Sequence, residues 1–140
     1  MSNIATTIEQ SKRLLVLGLD IKSADMCLCK TAQDTWFLWA GTPGEYDAHT
    51  VPAWSLPALL EVMPKVIVHD MDKHVLCLKY AEGVAPFIYY VVESGRNKGK
   101  LIRFNNGRCV PDAYDALDAA YKMVCWLLEQ GLIKKGDNDE

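Results

Sequence analysis

The sequence lacks the features of a membrane-spanning or exported protein. No apolar run approaches the ~20 residues that are needed to cross a bilayer. Residues 1–13 contain neither the basic region nor the apolar stretch of a signal peptide. The five cysteines are odd in number and never spaced as C-x-x-C, so reduced thiols are expected. These absences predict a cytoplasmic protein without a membrane partner.

Motifs that mark common enzyme classes are also missing. The chain contains no G-x-x-x-x-G-K-[ST], G-x-G-x-x-G, G-x-S-x-G or H-E-x-x-H pattern. Catalysis by cysteine or histidine needs a partner residue, and the sequence favours none of the many pairings that its three histidines and five cysteines allow. The sequence therefore predicts a non-enzymatic protein without a cofactor.

One short segment brings together four side chains that could bind a metal. His69, Asp70, Asp72 and His74 fall within one predicted turn, and such nitrogen and oxygen donors can hold a divalent ion. The alternative interpretation is a polar hairpin turn whose aspartates hydrogen-bond to their own backbone. We favour the polar turn and predict no metal site here.

A pair of cysteines offers a second set of potential ligands. Cys27 and Cys29 are two residues apart, which places both side chains on one face of a strand. A small apolar pair facing the core is the favoured interpretation over metal ligation.

Apolar periodicity is strongest near the C-terminus. Within residues 111–131, apolar side chains recur at the three- and four-residue spacing of an amphipathic helix. Asp112 is the predicted N-cap and Gly131 the predicted helix end. The positions in this stripe are Ala113, Ala116, Leu117, Ala120, Val124, Leu127 and Leu128.

Two shorter helices are predicted earlier in the chain. Thr7 and Gln10 form a capping-box pattern, and the helix that they begin should end at Gly18. Ser55 is predicted to cap a second helix over residues 56–63.

The other regular segments resemble strands, and a long loop is predicted over residues 41–52. This order predicts an α+β fold, with an antiparallel sheet of about five to six strands and a long C-terminal helix and two shorter helices packed on it. We expect one domain over residues 1–133 and a disordered acidic tail over residues 134–140. The predicted strands are residues 26–30, 35–40, 66–69, 73–80, 86–93 and 100–104.

Three stretches resemble a known group of proteins. They read SKRLLVLGLDIKSADM near the start, PAWSLPALLEVMP in the middle and DALDAAYKMVCWLLEQGLI near the end. Together they resemble small uncharacterised proteins of phages, prophages and mobile elements of gut Bacteroidetes. The resemblance covers roughly the first and last thirds and the middle helix. It implies a cytosolic accessory role and carries no catalytic residues over to this chain.

Positive charge is concentrated in the second half. Residues 94–109 contain five bases and no acid, which can attract an anionic ligand. The alternative is a solvated run of charge that protects a sheet edge. Five bases in an acidic protein do not favour duplex nucleic acid as a partner. The predicted anion-binding residues are Arg96, Lys98, Lys100 and Arg103, with the two arginines favoured for their bidentate fit to phosphate.

Aromatic residues supply the remainder of the predicted site. Trp36, Phe37 and Trp39 cannot share one face of a strand, because neighbouring side chains alternate. An aromatic second face indicates a contact surface, and we expect a homo-oligomer, most simply a two-fold dimer. Trp39 and Tyr46 are also the predicted stacking partners for a nucleotide base.

Two functions of different class follow. The first is a non-enzymatic phage or mobile-element accessory protein that binds a small anionic ligand, in one version by sequestering a nucleotide immune signal of the host. The second is a protein–protein interaction module that acts on a host or phage protein through an aromatic patch.

Overall fold

The structure, a computed structural model, describes residues 4–79, 87–100 and 115–136. The helices are α1 (Ile8–Leu17), α2 (Leu56–Val62) and α3 (Ala116–Glu129), and one 3-10 turn spans Ile21–Ser23. The strands are β1 (Met26–Lys30), β2 (Trp36–Trp39), β3 (Thr50–Ala53), β4 (Val66–His69), β5 (Asp72–Lys79) and β6 (Phe87–Val92).

The described strands form two antiparallel sheets rather than one. The first has the order β2-β1-β3 and the second β4-β5-β6. The α+β class is thus confirmed, whereas the single sheet of five to six strands is not. The physical reason is that β3 pairs back onto β1, and helix α2 then carries the chain away before β4 begins. The predicted strand over residues 100–104 lies outside the described residues beyond Lys100.

Local capping signals set the ends of the two short helices. The Thr7 side chain accepts the Gln10 amide while the Gln10 side chain accepts the Thr7 amide, so the predicted capping box is present. Gly18 ends α1 with φ of 101°, a left-handed conformation that favours glycine. Ser55 caps α2, as predicted, by accepting the amide of Ala58.

Strand β3 was not predicted, because its sequence lies at the end of the expected loop over residues 41–52. Pro52 lies within it and cannot donate a ladder hydrogen bond, so the sequence disfavours a strand there. The proline is tolerated because β3 is an edge strand, paired with β1 on one side.

Helix α3 is the centre of the core and contacts α1, α2 and β6. It begins at Ala116 with Asp115 as its N-cap, and the predicted cap Asp112 lies outside the described residues. Its buried side chains include most of the predicted stripe, and Met123 and Trp126 are buried beside it. A helix that is covered on several sides derives its stability mainly from packing. The buried members of the stripe are Leu117, Ala120, Val124, Leu127 and Leu128.

Trp54 joins the first sheet to the helices. It is fully buried directly after β3, and its indole Nε1 donates to the Ser23 hydroxyl at 2.9 Å. The Thr6 amide donates to the Trp54 carbonyl at 2.9 Å, and the Trp54 amide donates to the Thr6 hydroxyl at 3.1 Å. These bonds fix the start of α1 beside the end of β3.

Candidate functional site

The predicted basic turn is present at the end of β6. The Gly99 amide donates to the Val92 carbonyl at 3.0 Å, and the Val92 amide donates to the Lys100 carbonyl at 2.9 Å. Gly95 and Gly99 have φ of 93° and 88°, which residues with a Cβ rarely adopt. The bases of this turn, Arg96, Lys98 and Lys100, are exposed. Arg103, the fourth predicted base, lies outside the described residues.

The predicted aromatic partners belong to the other sheet. Trp39 ends β2 and is 47% exposed, and Tyr46 lies in the loop between β2 and β3. Among the described residues, no hydrogen bond, ion pair or ring contact joins Trp39 or Tyr46 to the basic turn. A combined site of bases and aromatics therefore stays a prediction, with its two parts placed on different sheets.

An open groove of about 1050 Å³ lies at the β3 edge of the first sheet. Helix α1 and the 3-10 turn form one wall, and residues 42–46 of the long loop form the other. The polar and aromatic side chains that line it are Lys12, Lys22, Thr42, Glu45, Tyr46 and Thr50.

The groove has a positive wall that the sequence did not reveal. Lys12 and Lys22 are exposed, and no described ion pair involves either one. They are ten residues apart in the chain and line the same groove because α1 ends at Gly18 and Asp20 caps the following turn by accepting the Lys22 amide. Glu45 is the acid in the lining, so the charged side chains of the groove remain positive overall. No local spacing pattern signals such a pair.

Two thiols lie beside the groove on the first sheet. Cys27 is fully buried, Cys29 is half-buried, and their Sγ atoms are 3.6 Å apart. Burial, together with the neighbouring Cys29, raises the pKa of the Cys27 thiol from 9.0 to about 11. Burial also raises the pKa of Tyr46, and the two thiols add to that rise. The Cys27 thiol and this phenol are therefore protonated at neutral pH.

The histidine-containing turn is a close-packed hairpin. Asp70 and Met71 have φ of 50° and 69°, the left-handed conformations of a two-residue turn between β4 and β5. His69 packs edge-on against Trp126 with 5.3 Å between ring centroids. The His74 Nδ1 lies 3.0 Å from the Asp72 carbonyl oxygen, in hydrogen-bond range. The two imidazoles are thus engaged with the core and the backbone.

Within residues 4–79, 87–100 and 115–136, no group of three or more histidine, cysteine, aspartate or glutamate side chains could hold a metal ion. The turn from His69 to His74 is included in that region. The interpretation of this segment as a polar turn stays a prediction, and the contacts of His69 and His74 agree with it.

In the part of the chain that the structure describes, no helix combines the length and the apolar character that crossing a membrane requires.

The chain shows limited similarity to known proteins. No protein-family description matches the chain. Nonribosomal peptide synthetase 30 of Fusarium vanettenii is 32% identical over 91 residues, which is 63% of this chain and 2% of that protein. The chain therefore spans a very small part of that relative's length. No solved structure matches the chain.

Proposed function

We propose that this chain is a non-enzymatic binding protein for a small anionic ligand, held in the groove between α1 and the loop over residues 42–46. The observation that carries the proposal is a concave site with two exposed lysines on one wall. Binding sites for small ligands are usually concave, with a few convergent polar groups. The basic turn after β6 is the alternative site, and its bases Arg96, Lys98 and Lys100 are exposed.

The charges in the groove match an anion better than a neutral ligand. Lys12 and Lys22 have no described anionic partner, so an incoming phosphate or carboxylate would not have to displace one. Tyr46 lines the same groove and offers an aromatic ring for stacking. A nucleotide combines an anionic phosphate with a base that can stack, which makes nucleotides the first class to test.

The resemblance to mobile-element proteins suggests a biological role for such binding. A cytoplasmic accessory protein that sequesters a nucleotide signal of the host would need only tight binding and no chemistry. Native mass spectrometry of the protein purified from cells tests this version directly. A retained nucleotide supports sequestration, whereas a ligand-free protein in cells that produce the signal contradicts it.

The decisive experiment is calorimetric titration with a nucleotide panel and inorganic phosphate. One charge-assisted contact is worth about 1.5–3 kcal/mol, so the double variant Lys12→Ala/Lys22→Ala should weaken binding by about tenfold or more. The matched control is Arg96→Ala/Lys98→Ala, which also removes two exposed bases. We expect this control to bind like the parent. The opposite pattern would move the ligand to the basic turn, and a parent that binds no anion would overturn the function.

Protein interaction through an aromatic patch is a second candidate function. Phe37 and Trp39 are 50% and 47% exposed and share one face of β2. Among the described strands β2 is an edge of its sheet, with unpaired backbone groups on its outer side. A second copy fits this edge best, because two antiparallel β2 strands would extend the sheet and bring both aromatic pairs together. A host or phage protein is the other occupant of such a patch.

Light scattering at increasing protein concentration tests the second candidate. We expect a dimer that the double variant Phe37→Ala/Trp39→Ala converts to a monomer. Val68→Ala removes another exposed apolar side chain, 65% exposed on β4 of the other sheet, and should leave the dimer intact. A strict monomer at high concentration, or loss of the dimer in the Val68 control, contradicts association through β2.

A further inference from the structure

We propose that the free edge of β4 binds an extended acidic peptide segment of a partner protein, which joins the second sheet as an added strand. β4 is the outermost strand in the order β4-β5-β6, and among the described strands it pairs with β5 alone. This edge is separate from the groove beside β3 and from the aromatic residues of β2. Peptide binding here does not depend on an anion in the groove.

The hydrogen-bond pattern leaves the outer backbone groups of Val66 and Val68 available. In an antiparallel pair, residues that exchange bonds with the neighbouring strand alternate with residues whose amide and carbonyl point away from it. The Leu76 amide donates to the Lys65 carbonyl at 2.8 Å, so Lys65 is a bonded position and the residues one and three places later point outward. No described hydrogen bond outside the β4–β5 pair involves Val66 or Val68.

The opposite strand follows the same pattern. Lys73 is the register partner of Val68, and its carbonyl accepts the Glu93 amide on the β6 side at 2.9 Å. The backbone of Lys73 therefore points away from β4, as the alternation requires. Two amides and two carbonyls of β4 face outward, and an extended peptide supplies donors and acceptors at this spacing, so β-strand addition is the mode of binding.

β4 also lacks the features that protect most edge strands. Natural edges are commonly protected by lysine, proline or a bulge, because a free edge pairs with other strands. β4 contains no lysine or proline, and its register with β5 runs without a bulge. Val66 and Val68 are 44% and 65% exposed, and Ile67 between them is buried. The edge therefore offers apolar contacts on one face while Ile67 holds the strand on the core.

The charges of the second sheet favour an acidic partner. Residues 65–79 and 87–100 carry six bases against three acids, in a chain with a net charge of −3. Each of these acids already has a partner in the structure. The pairs are Asp70 with His69, Asp72 with Asn97, and Glu93 with Lys73.

Lys65 is the base that an added strand would meet first. It directly precedes β4, is exposed, and has no ion pair among the described residues. Because side chains alternate along a strand, Lys65 lies on the opposite face from Val66 and Val68. The partner segment should therefore alternate apolar residues, which contact the valines, with acids that pair with Lys65.

Fluorescence anisotropy of the full chain with a labelled peptide of alternating valine and glutamate tests this recognition. We expect saturable binding, and binding weaker by about tenfold or more for the matched peptide of alternating valine and lysine, since like charges repel. Lys65→Glu should reverse the preference. Lys98→Glu reverses a charge in the turn after β6 and is the control variant that should keep it.

Two measurements on the unmodified protein test backbone pairing. The Val66 and Val68 amides should exchange rapidly in the free chain and become protected when the acidic peptide binds. In antiparallel pairing, the peptide residues opposite these positions share their face and exchange backbone bonds with them. N-methylation of the peptide's valine amides should therefore abolish binding, whereas N-methylation of its glutamate amides should preserve it.

Absence of peptide binding overturns the proposal, as does equal binding of the acidic and basic peptides. So does a Lys65→Glu variant that binds the acidic peptide as the parent does, or loss of the preference in Lys98→Glu. Equal effects of the two N-methylation patterns would exclude strand addition. Protection of the Val66 and Val68 amides at rising concentration of the peptide-free chain would assign the edge to a second copy and also overturn the proposal.

Discussion

The two sheets differ in what covers them. The second sheet turns Ile67, Ile88 and Tyr90 inward, where they join one buried cluster with the residues of α3. The first sheet contributes fewer buried side chains, among them Cys27 and Ala53, and keeps Phe37 and Trp39 half exposed. The second sheet is thus built as one layer of a helix–sheet core, and the first is attached to that core through α1 and Trp54.

This difference separates stability from binding chemistry. Apolar burial is the main favourable contribution to folding, and it is concentrated where α3 meets the second sheet. The groove, the paired thiols and the exposed aromatics all lie on or beside the first sheet. Substitutions on or beside the first sheet should therefore alter binding with little loss of stability. Substitutions where α3 meets the second sheet should lower stability with little effect on binding.

The largest effect that tests this comparison is expected from Leu127→Ala. Leu127 is fully buried in α3, and removing such a side chain should lower the free energy of unfolding by about 2–5 kcal/mol. Phe37→Ala in the first sheet should cost less than about 1 kcal/mol, because the ring is already half exposed. Chemical denaturation of both variants measures the contrast. Equal losses would show that stability is shared by the two sheets.

A pH dependence should follow from the thiol of Cys125 in α3. Burial raises its pKa from 9.0 to about 11. The unfolded chain then loses this proton first as pH rises, so stability falls between pH 9 and pH 11. Each tenfold difference in proton affinity corresponds to about 1.4 kcal/mol. Since the pKa rises from 9.0 to about 11, the loss of stability should reach about 2 kcal/mol by pH 11.

Denaturation at several pH values checks this loss. Cys125→Ala should flatten the pH dependence, whereas anion binding by the same variant should match that of the parent. An unchanged slope would contradict the role of Cys125 in stability, and weakened anion binding would contradict the separation between the two regions.

The next effect is expected from a single hydroxyl in the second sheet. Tyr90 is buried, and its hydroxyl donates to the Pro64 carbonyl at 2.6 Å. Tyr90→Phe should cost about 1–3 kcal/mol, since a part-buried acceptor loses its donor. Tyr89→Phe is the matched control on the opposite sheet face and should change stability by less than about 0.5 kcal/mol. Similar thermal unfolding of the two variants would refute this assignment.

The smallest predicted effect lies at the helix that joins the two regions. Thr7→Ala removes one half of the capping box of α1 and should cost about 1 kcal/mol. Thr7→Ser keeps the hydroxyl and should be nearly neutral. Chemical denaturation of both variants measures the difference, and unchanged stability of Thr7→Ala would contradict a contribution of the cap to folding.

The elements that sequence analysis located well are those with local chemical signals. The capping box at Thr7, the glycine at Gly18 and the cap at Ser55 act within a few residues, so the sequence reveals them directly. The predicted strand at β1 has its observed bounds. The stripe of α3 was recognised for the same reason, since its period persists over several turns.

The features that were missed depend on contacts between distant segments. β3 is specified by its pairing with β1, and its proline removes the usual strand pattern. The division into two sheets depends on which strands pair, which local periodicity does not encode. Lys12 and Lys22 share a groove because of the turn after α1. The burial of the Tyr46 hydroxyl depends on the fold of the loop and has no local sequence signal.

The close approach of Gly136 to the start of the 3-10 turn has a practical consequence for purification. The Gly136 amide donates to the Gly18 carbonyl at 2.9 Å, and a Cβ at Gly136 would overlap the Asp20 backbone. Gly136 therefore lies beside the turn that carries Lys22 of the groove lining. An affinity tag at the opposite terminus is the better choice for calorimetry, because it leaves this contact undisturbed.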